Sequence, residues 1–528
     1  MDRESGPSGA AAAVEPAVTR VRHPRDGRGC WNRPSRMFAA QPWMPTLINF
    51  LHTGRPAHGS ASACAAGKLA GLPAGLWAVA AVALFAALPA HAADRPSGSR
   101  TPPVAEKGHG QDTGRLAGGQ RGLATFMAAL TKLERAPRGT VQILQIGDSH
   151  TAGNHFSGAL RTLLQGRFGD AGPGGFPPGP SYKGLYSPTV TLGPQSWTVS
   201  GGLEVKSGDI VGFSGFQATS AQPGNALSFE SKGDAPVTAV SLTLAAGPAG
   251  GTLLVEADGK PVRSVPTKGP RETGVVVPVP LAQPARTITL SPKGDGRVTL
   301  LRVSLKGGNK GILYESHGVI GATATLMRRW HEPTVAAELQ ALRPELIILA
   351  FGTNEGFNAS LSADDYRTAF RERLAVLRRQ APWASILVIG PPDANRLPKG
   401  CPPEATASCA SVRPQSGSCA WYPPPELATV RTIQRSEALS AGAAFWDWSA
   451  VMGGACGTHD WGKATPALAA PDHVHFRAEG YRMAAEALFN DIMELHQAPP
   501  PARGKPGPIR LPDCRGTVYL NGSIQCLR

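Results

Sequence analysis

The sequence predicts an α/β protein whose doubly wound parallel sheet is interrupted by an inserted all-β sandwich. Three observations lead to this prediction. Apolar runs of strand length alternate with amphipathic helical stretches in two separate parts of the chain, which is typical of a parallel sheet covered by helices. Between these parts lies a block of about 115 residues with short strands and almost no helical periodicity, the length of one sandwich domain. The chain, at 528 residues, is long enough for two folded units.

The first strand, turn and helix of the sheet follow a helix predicted at residues 123–133. The run at 141–146 is short, apolar and bounded by glycine, as is typical of a buried parallel strand. Apolar residues within 156–168 recur on one face of a helix. The Gly-Asp-Ser-His turn at 147–150 joins this strand to this helix. It therefore lies at the carboxyl edge of the sheet, where ligands bind in such folds.

The inserted block is characterised by alternating apolar and polar residues. This pattern predicts strands at residues 239–244, 252–257, 274–279, 286–290 and 298–305. Turn residues such as Gly and Asp separate the strands. Because helices and strands alternate again further along, the sandwich is predicted to be an insertion into the α/β domain, not a domain in series.

The second part of the α/β domain follows the insertion. Its periodicity predicts helices at residues 322–342, 365–380, 427–441 and 478–496, and strands at residues 346–351, 386–389 and 444–448. A loop rich in Pro and Cys, residues 391–425, is longer than loops usually are without a function or a disulfide bond.

The prediction divides the chain into seven consecutive segments. They are a leader with a signal peptide (1–92), a linker (93–120), the first part of the α/β domain (121–190), the inserted sandwich (191–307), the second part of the α/β domain (308–496), a Pro-rich linker (497–512) and a Cys-containing C-terminal hairpin (513–528).

Export is predicted from the leader. Its uncharged apolar run at residues 76–88 follows Lys68 and precedes an Ala-x-Ala site, which indicates cleavage before Ala93. The run is shorter than the roughly 20 residues of a membrane span, so no stable span is expected after cleavage. An uncleaved anchor is the alternative.

The charge balance of the chain is basic, with a formal net charge of +15. Residues 1–92 carry nine Lys and Arg against four Asp and Glu, so part of this excess belongs to the leader. No stretch of Lys and Arg interleaved with aromatic residues follows, and no nucleic-acid partner is expected. An anionic envelope polymer fits a mildly basic enzyme better.

Six cysteines follow the leader. An even number in an exported chain predicts disulfide bonds, whose connectivity the sequence leaves open. The favoured pair joins Cys514 to Cys526, because both lie in a short tail. A zinc site is the alternative, but the ligand spacings typical of zinc are absent from the sequence. The other four cysteines are Cys401, Cys409, Cys419 and Cys456.

Two motifs contain candidate residues for nucleophilic catalysis. Ser149 begins a helix at the sheet edge, where the helix N-terminus favours developing negative charge, although a serine there is often only a helix cap. Asp472 and His475 are separated by two residues, so a carboxylate could orient an imidazole for a nucleophile. His473 is adjacent to Asp472 and is expected to point elsewhere, as a surface residue or a substrate contact.

Two further positions are candidates for stabilising an oxyanion. Asn354 follows an apolar strand, and its amide can lie over the cleft, where such a donor is worth about 3 kcal/mol. Gly321 offers a backbone N–H where a Cβ would crowd the oxyanion. The alternative for each is an ordinary turn residue.

Taken together, the order Ser149, Gly321, Asn354 and Asp472-x-x-His475 resembles the four sequence blocks of the SGNH (GDSL-type) hydrolases. The resemblance implies a three-layer α/β/α fold with a flavodoxin-like parallel sheet. It implies that Ser149 is the nucleophile, His475 the base and Asp472 its orienting carboxylate. The oxyanion donors would be the N–H of Ser149 with Gly321 and Asn354, and no metal or organic cofactor is required.

A narrower resemblance is to the periplasmic peptidoglycan O-acetylesterases. It rests on residues 147–153, 167–172 and 351–358, and His150 follows the nucleophile in that group as it does here. That group carries a sandwich resembling a carbohydrate-binding module at the position of the insertion. The resemblance implies a periplasmic or envelope enzyme acting on O-acetylated peptidoglycan, at the acetyl ester on the muramic-acid C6 oxygen.

Three other functions stay open at this stage. One is a lipase or general carboxylesterase, the second is a glycan O-acetyltransferase, and the third is a non-catalytic envelope glycan-binding protein. The cysteine-rich loop and the C-terminal hairpin lie outside what the resemblance explains.

Overall fold

The computed structural model describes residues 114–498 except 183–184, 194–195, 234–235 and 404–407, together with the backbone of 517–520 and 523–526. The predicted signal peptide and cleavage site, the linker up to residue 113 and the Pro-rich linker from residue 499 lie outside the described residues. Within the described part, no helix combines the length and apolar character that crossing a membrane requires.

The first part of the α/β domain leads from an edge strand to the predicted turn. Helix α2 buries Phe126, Leu130 and Leu133, whose spacing places them on one face against the sheet. Strand β2 is buried along its second half, because helices cover both faces of the sheet. The elements are β1 (Leu116–Ala117), α1 (Gly119–Gly122), α2 (Ala124–Arg135), β2 (Gly139–Gly147), α3 (Ser149–Ala152) and α4 (His155–Phe168).

The insertion is a sandwich of two antiparallel sheets. Its strands are β3 (Gly174–Phe176), β4 (Val190–Leu192), β5 (Thr198–Gly201), β6 (Phe216–Ser220), β7 (Leu227–Ser231), β8 (Val237–Ala246), β9 (Thr252–Ala257), β10 (Lys260–Pro266), β11 (Thr273–Ala285), β12 (Thr287–Pro292) and β13 (Val298–Lys306). Among the described residues, one sheet has the order β10-β9-β12-β7-β4 and the other β11-β8-β13-β6-β5, with β3 paired to β13. Every second residue of β9 is buried, which is the alternation that predicts a strand.

Strand β3 joins the sandwich from a point in the chain before residue 191. It pairs with Val303–Leu305 of β13 and carries two consecutive glycines, Gly174 and Gly175. Gly174 has φ +86°, and a Cβ there would collide with the backbone of Tyr314. Glycine is therefore required where this segment passes the edge of the parallel sheet.

The second part of the α/β domain completes the parallel sheet. Its elements are β14 (Lys310–Gly318), α5 (Glu332–Leu342), β15 (Leu346–Ala350), α6 (Thr353–Gly356), α7 (Ala363–Gln380), β16 (Ser385–Gly390), α8 (Pro425–Ser440), β17 (Ala444–Asp447), α9 (Trp448–Val451), α10 (Gly457–Lys463) and α11 (Ala478–Gln497). In the described part of the chain the sheet order is β1-β17-β16-β15-β2-β14. All neighbours are parallel except the short edge strand β1. Apolar clusters cover both faces, so the predicted doubly wound sheet is confirmed.

Two predicted details differ from the structure. The helix predicted at 322–342 is two elements, a 3-10 helix at Ala324–Arg329 and then α5. Pro333 lies in the first turn of α5, and the backbone at Trp330 and His331 is extended, which ends the first element. Strand β14 was not predicted, because buried polar residues interrupt its apolar pattern.

The cysteines of the folded region form two disulfide bonds, Cys401–Cys419 and Cys409–Cys456. The backbone of the C-terminal hairpin pairs β18 (Thr517–Leu520) with β19 (Ser523–Cys526). Cys514 lies outside the described residues, so its pairing with Cys526 stays a prediction.

Candidate active site

Ser149 is placed by a tight turn between β2 and α3. Gly147 ends β2, and a Cβ at this position would collide with Thr151 and with the carbonyl of Ala350. The carboxylate of Asp148 caps α3 by accepting a hydrogen bond from the N–H of His150, 3.0 Å away. Ser149 is therefore the first residue of α3, with its N–H left without a partner inside the helix.

Asp472 and His475 lie in the loop between α10 and α11 and reach Ser149. His475 Nε2 is 2.9 Å from Ser149 Oγ, and His475 Nδ1 is 2.7 Å from Asp472 Oδ2. The other carboxylate oxygen of Asp472 accepts the N–H groups of Val474 and His475. The structure thus brings the three predicted side chains into one series of hydrogen bonds.

The negative charge of Asp472 makes the imidazole of His475 more basic. Burial disfavours the charged form of His475, but the hydrogen bond and the negative charge of Asp472 outweigh it and raise the pKa of His475. Burial also opposes ionisation of Asp472, yet the hydrogen bond from His475 lowers the pKa of Asp472 well below its usual value. Asp472 is accordingly ionised across the neutral range and holds the His475 ring in place.

Gly321 lies in the loop that follows β14, and Asn354 lies in α6, a single helical turn in the loop between β15 and α7. Strands β14 and β15 are the two neighbours of β2. The amide Nδ2 of Asn354 donates to the carbonyl of Ala322 at 2.8 Å and so joins the two loops. An amide has two N–H groups, so one stays available to an oxyanion. Gly321 has φ +77°, and no hydrogen bond from its N–H is found within the described residues.

Two buried carboxyl groups support these loops. Asp148 lies beneath Ser149, and Glu355 follows Asn354 and accepts the N–H of Ala324 at 2.8 Å. Burial is the main cause that raises the pKa of both carboxyl groups to about 7. These carboxyl groups hold backbone N–H groups and give the loops a fixed geometry.

His150 is buried beneath the imidazole of His475. Their ring centroids are 5.3 Å apart, and His150 Nδ1 is 3.0 Å from the hydroxyl of Tyr481. Burial, followed by the charge of His475, lowers the pKa of His150 well below its usual value. His150 is therefore a neutral ring packed under the candidate base. In the sequence, His150 is notable only as a residue shared with the peptidoglycan O-acetylesterases.

His473 lies in the same loop as His475 but faces away from Ser149. Its ring stacks on Trp421 with centroids 3.6 Å apart and planes 6° apart. Its carbonyl accepts the N–H of Asn395 at 2.8 Å. Burial is the main cause that lowers the pKa of His473 to about 4. The cysteine-rich loop, which carries both Asn395 and Trp421, thus packs directly against the Asp472–His475 segment.

Part of this fold matches the model of a known family. The model of the GDSL-like lipase/acylhydrolase family matches residues 290–483, which include Gly321, Asn354, Asp472 and His475, while Ser149 precedes the match. A solved peptidoglycan O-acetylesterase is similar to this chain at 28% identity and a TM-score of 0.60, covering 72% of this chain and 99% of that one. Among curated protein sequences, no relative matches the chain.

Two other solved structures are similar over smaller shares of this chain. A family two carbohydrate esterase from Clostridium thermocellum has 13% identity and a TM-score of 0.24, covering 56% of this chain and 98% of that one. An acetyl xylan esterase has 14% identity and a TM-score of 0.24, covering 34% and 81%.

The chain therefore contains a domain of the GDSL-like lipase/acylhydrolase family and has the SGNH hydrolase fold. It is an esterase of the SGNH type, structurally close to a peptidoglycan O-acetylesterase.

Proposed function

We propose that this chain is an exported serine esterase that removes O-acetyl groups from a cell-wall glycan in the periplasm or envelope. The proposed bond is the acetyl ester on the C6 oxygen of muramic acid in peptidoglycan. The hydrogen-bonded series Asp472–His475–Ser149 is the observation that carries the proposal. The likeness to a peptidoglycan O-acetylesterase over nearly the whole of that chain supports the choice of substrate.

The first half of the proposed reaction transfers the acetyl group to the enzyme. His475 Nε2 takes the proton of Ser149 Oγ as that oxygen attacks the acetyl carbonyl carbon. The carbonyl oxygen becomes negative and is held by the N–H groups of Ser149 and Gly321 and by the amide of Asn354. When the carbonyl re-forms, the bond to the sugar oxygen breaks and His475 gives its proton to that oxygen.

The second half releases acetate. Water takes the place of the sugar, and His475 removes a proton from it as it attacks the acetyl-Ser149 carbonyl. The same donors hold the second oxyanion, and Ser149 Oγ leaves with the proton from His475. Apart from the attacking water, the protein's own residues supply every group that these steps use.

Acetate release from O-acetylated sacculi tests this proposal. We expect Ser149→Ala to lower the rate at least about a thousandfold, because removing the nucleophile leaves only binding and oxyanion stabilisation. Ser207→Ala is the matched control, since Ser207 is exposed in the insertion. Circular dichroism checks that both variants are folded. Retention of most activity by Ser149→Ala would exclude Ser149 as the nucleophile.

The substrate is tested separately with wild-type protein. A peptidoglycan esterase releases acetate faster from sacculi than from acetylated xylan, and its rate on p-nitrophenyl esters falls steeply as the acyl chain lengthens. Equal or greater rates on long acyl chains would favour a lipase, and transfer of acetyl to added glycan in place of water would favour an acetyltransferase.

A further inference from the structure

A turn of the inserted sandwich reaches the loop that carries Gly321. This turn is a short 3-10 helix, Gly202–Glu204, between β5 and β6. The side chain of Leu203 lies against Gly321, because a Cβ added to Gly321 would be 3.2 Å from Leu203 Cδ1. Gly321 is a candidate oxyanion donor. The insertion therefore contributes a side chain to the border of the candidate active site.

The backbone around Leu203 is held in place from two directions. Arg329, which follows β14, donates from Nη1 to the carbonyl of Leu203 at 3.0 Å. Within the insertion, the N–H of Gly202 donates to the carbonyl of Gly215 at 2.8 Å. Gly202 has φ +66°, and a Cβ there would be 3.1 Å from the ring of Phe216. The sandwich and the α/β domain together fix the position of this turn.

The loop that carries Gly321 is joined to the turn that carries Ser149. The N–H of Val319 donates to the carbonyl of Gly147 at 3.0 Å. Gly318 packs so closely on α3 that a Cβ there would collide with the helix backbone. A side chain that borders the loop of Gly321 therefore lies next to the segment that positions the candidate nucleophile.

Two large apolar side chains at this border are exposed. Leu203 is 52% exposed, and Ile320, the residue before Gly321, is 39% exposed. Hydrocarbon side chains offer no hydrogen bond to a sugar hydroxyl, and burying them against an apolar group is favourable. In an acetyl ester of a glycan, the methyl of the acetyl group is such an apolar group.

The two sides of Ser149 differ in what they offer to an ester. Strand β2, which leads to Ser149, has β14 on one side and β15 with β16 on the other. The loop of His475 is attached on the β16 side, where the N–H of Asn395 donates to the carbonyl of His473 at 2.8 Å. The leaving oxygen must face His475 to receive its proton. An acyl group directed away from His475 therefore meets the β14 side, where Gly321 lies.

We propose that Leu203 and Ile320 bind the acyl group of the substrate and limit its length, so that the inserted sandwich takes part in selecting acetyl esters. This inference rests on the proposed function for the role of Gly321 as an oxyanion donor. The methyl of an acetyl group contacts both side chains, whereas a longer chain collides with Leu203 beside Gly321. Neither residue transfers a proton, so both act on specificity.

The preference for acyl-chain length tests this proposal. The measured quantity is the ratio of kcat/KM for p-nitrophenyl acetate to that for p-nitrophenyl butyrate. We expect Leu203→Ala to lower this ratio about tenfold, since a single methylene in an apolar pocket changes kcat/KM by about 10- to 200-fold. Ile320→Ala is expected to lower it in the same direction. Leu203→Met keeps the side-chain volume and is expected to keep the ratio within about twofold of wild type.

Leu439→Ala is the matched control, because it makes the same substitution at an exposed leucine. Leu439 lies in α8 shortly before β17 begins, at the opposite edge of the sheet from Ser149. The control is expected to leave the ratio unchanged. An unchanged ratio in Leu203→Ala overturns the proposal, even if both rates fall, since a structural role lowers both equally. If thermal melting shows that Leu203→Ala is unfolded, Ile320→Ala decides by the same criterion.

Separate measurements distinguish the two proposals. If wild-type protein hydrolyses p-nitrophenyl esters but releases no acetate from O-acetylated sacculi, the proposed substrate fails, while the ratio still decides the role of Leu203. If acetate is released from sacculi and Leu203→Ala keeps the wild-type ratio, the acyl-binding inference alone fails. If wild-type protein hydrolyses none of these esters, both proposals fail.

Discussion

Two of the carboxylate–histidine pairs within the described residues lie in contrasting regions of the molecule. Asp472 and His475 lie in a loop at the carboxyl edge of the sheet, 2.7 Å apart, with side chains 44% and 34% exposed. Glu315 and His317 lie within strand β14, 3.5 Å apart and fully buried. A carboxylate–histidine pair thus lies beside a candidate nucleophile in the first region and inside the fold in the second.

The surroundings of each pair decide what it can do. His475 has Ser149 on its other nitrogen, so proton transfer to a substrate is possible. Glu315 instead receives two hydrogen bonds from Arg302 of β13, at 2.8 and 3.0 Å. Arg302 also contacts Glu338 of α5 at 3.3 Å. The buried pair therefore belongs to an ion cluster that joins the sandwich to the parallel sheet, and the exposed pair lies beside Ser149.

The largest effect is expected at Asp472. Asp472→Asn removes the charge that orients His475 and stabilises its protonated form, so we expect kcat/KM to fall by about 10³ to 10⁴. His475 must be neutral to accept the proton of Ser149, so wild-type activity rises with pH through the raised pKa of His475. In Asp472→Asn this rise shifts to lower pH.

A pH profile of kcat/KM with p-nitrophenyl acetate measures both effects. Glu479→Gln is the matched control, because Glu479 is an exposed carboxylate near the start of α11. An unaltered profile in Asp472→Asn would contradict the assigned role of this carboxylate.

The second largest effect is expected on the stability of the fold, at Arg302. Arg302→Met leaves Glu315 and Glu338 buried without their cation, and we expect a loss of about 3 to 5 kcal/mol in the free energy of unfolding. Replacing Glu315 and Glu338 with Leu in the same chain is expected to restore most of it, because an apolar cluster has no charge to compensate. Denaturant unfolding measures these changes, and a stable Arg302→Met protein would contradict the role of the cluster.

The same cluster predicts a dependence of stability on pH. Burial opposes ionisation of Glu315, but the charge of Arg302 and the hydrogen bonds from His317 and Ser304 lower its pKa to about 2. A lowered pKa means that ionised Glu315 stabilises the fold above its ordinary pKa of 4.5, and that this contribution is lost as pH falls towards 2. Arg302→Met is expected to lack this part of the acid dependence.

The sequence predicts the exposed pair and not the buried one. Ser149 and Asn354 follow predicted strands, and local patterns are enough to locate the ends of these strands, whereas Gly321 follows β14. Strand β14 was missed, because Glu315 and His317 look like solvent-facing residues until Arg302, from another strand, is seen to pair with Glu315. Contacts between distant segments, such as Trp421 with His473, leave no periodic signal in either segment.

The smallest effect is expected in the loop that supports the exposed pair. Trp421 holds His473 by stacking, and the disulfide Cys409–Cys456 joins its loop to the start of α10. Stacked aromatic pairs are worth about 0.5 to 1.5 kcal/mol. We therefore expect Trp421→Ala to lower kcat on p-nitrophenyl acetate about twofold to tenfold, because His475 is then less well positioned. Trp421→Phe, which keeps a stacking ring, is expected to restore most of the rate. If both variants lose the rate equally, stacking on His473 is not how this loop supports His475.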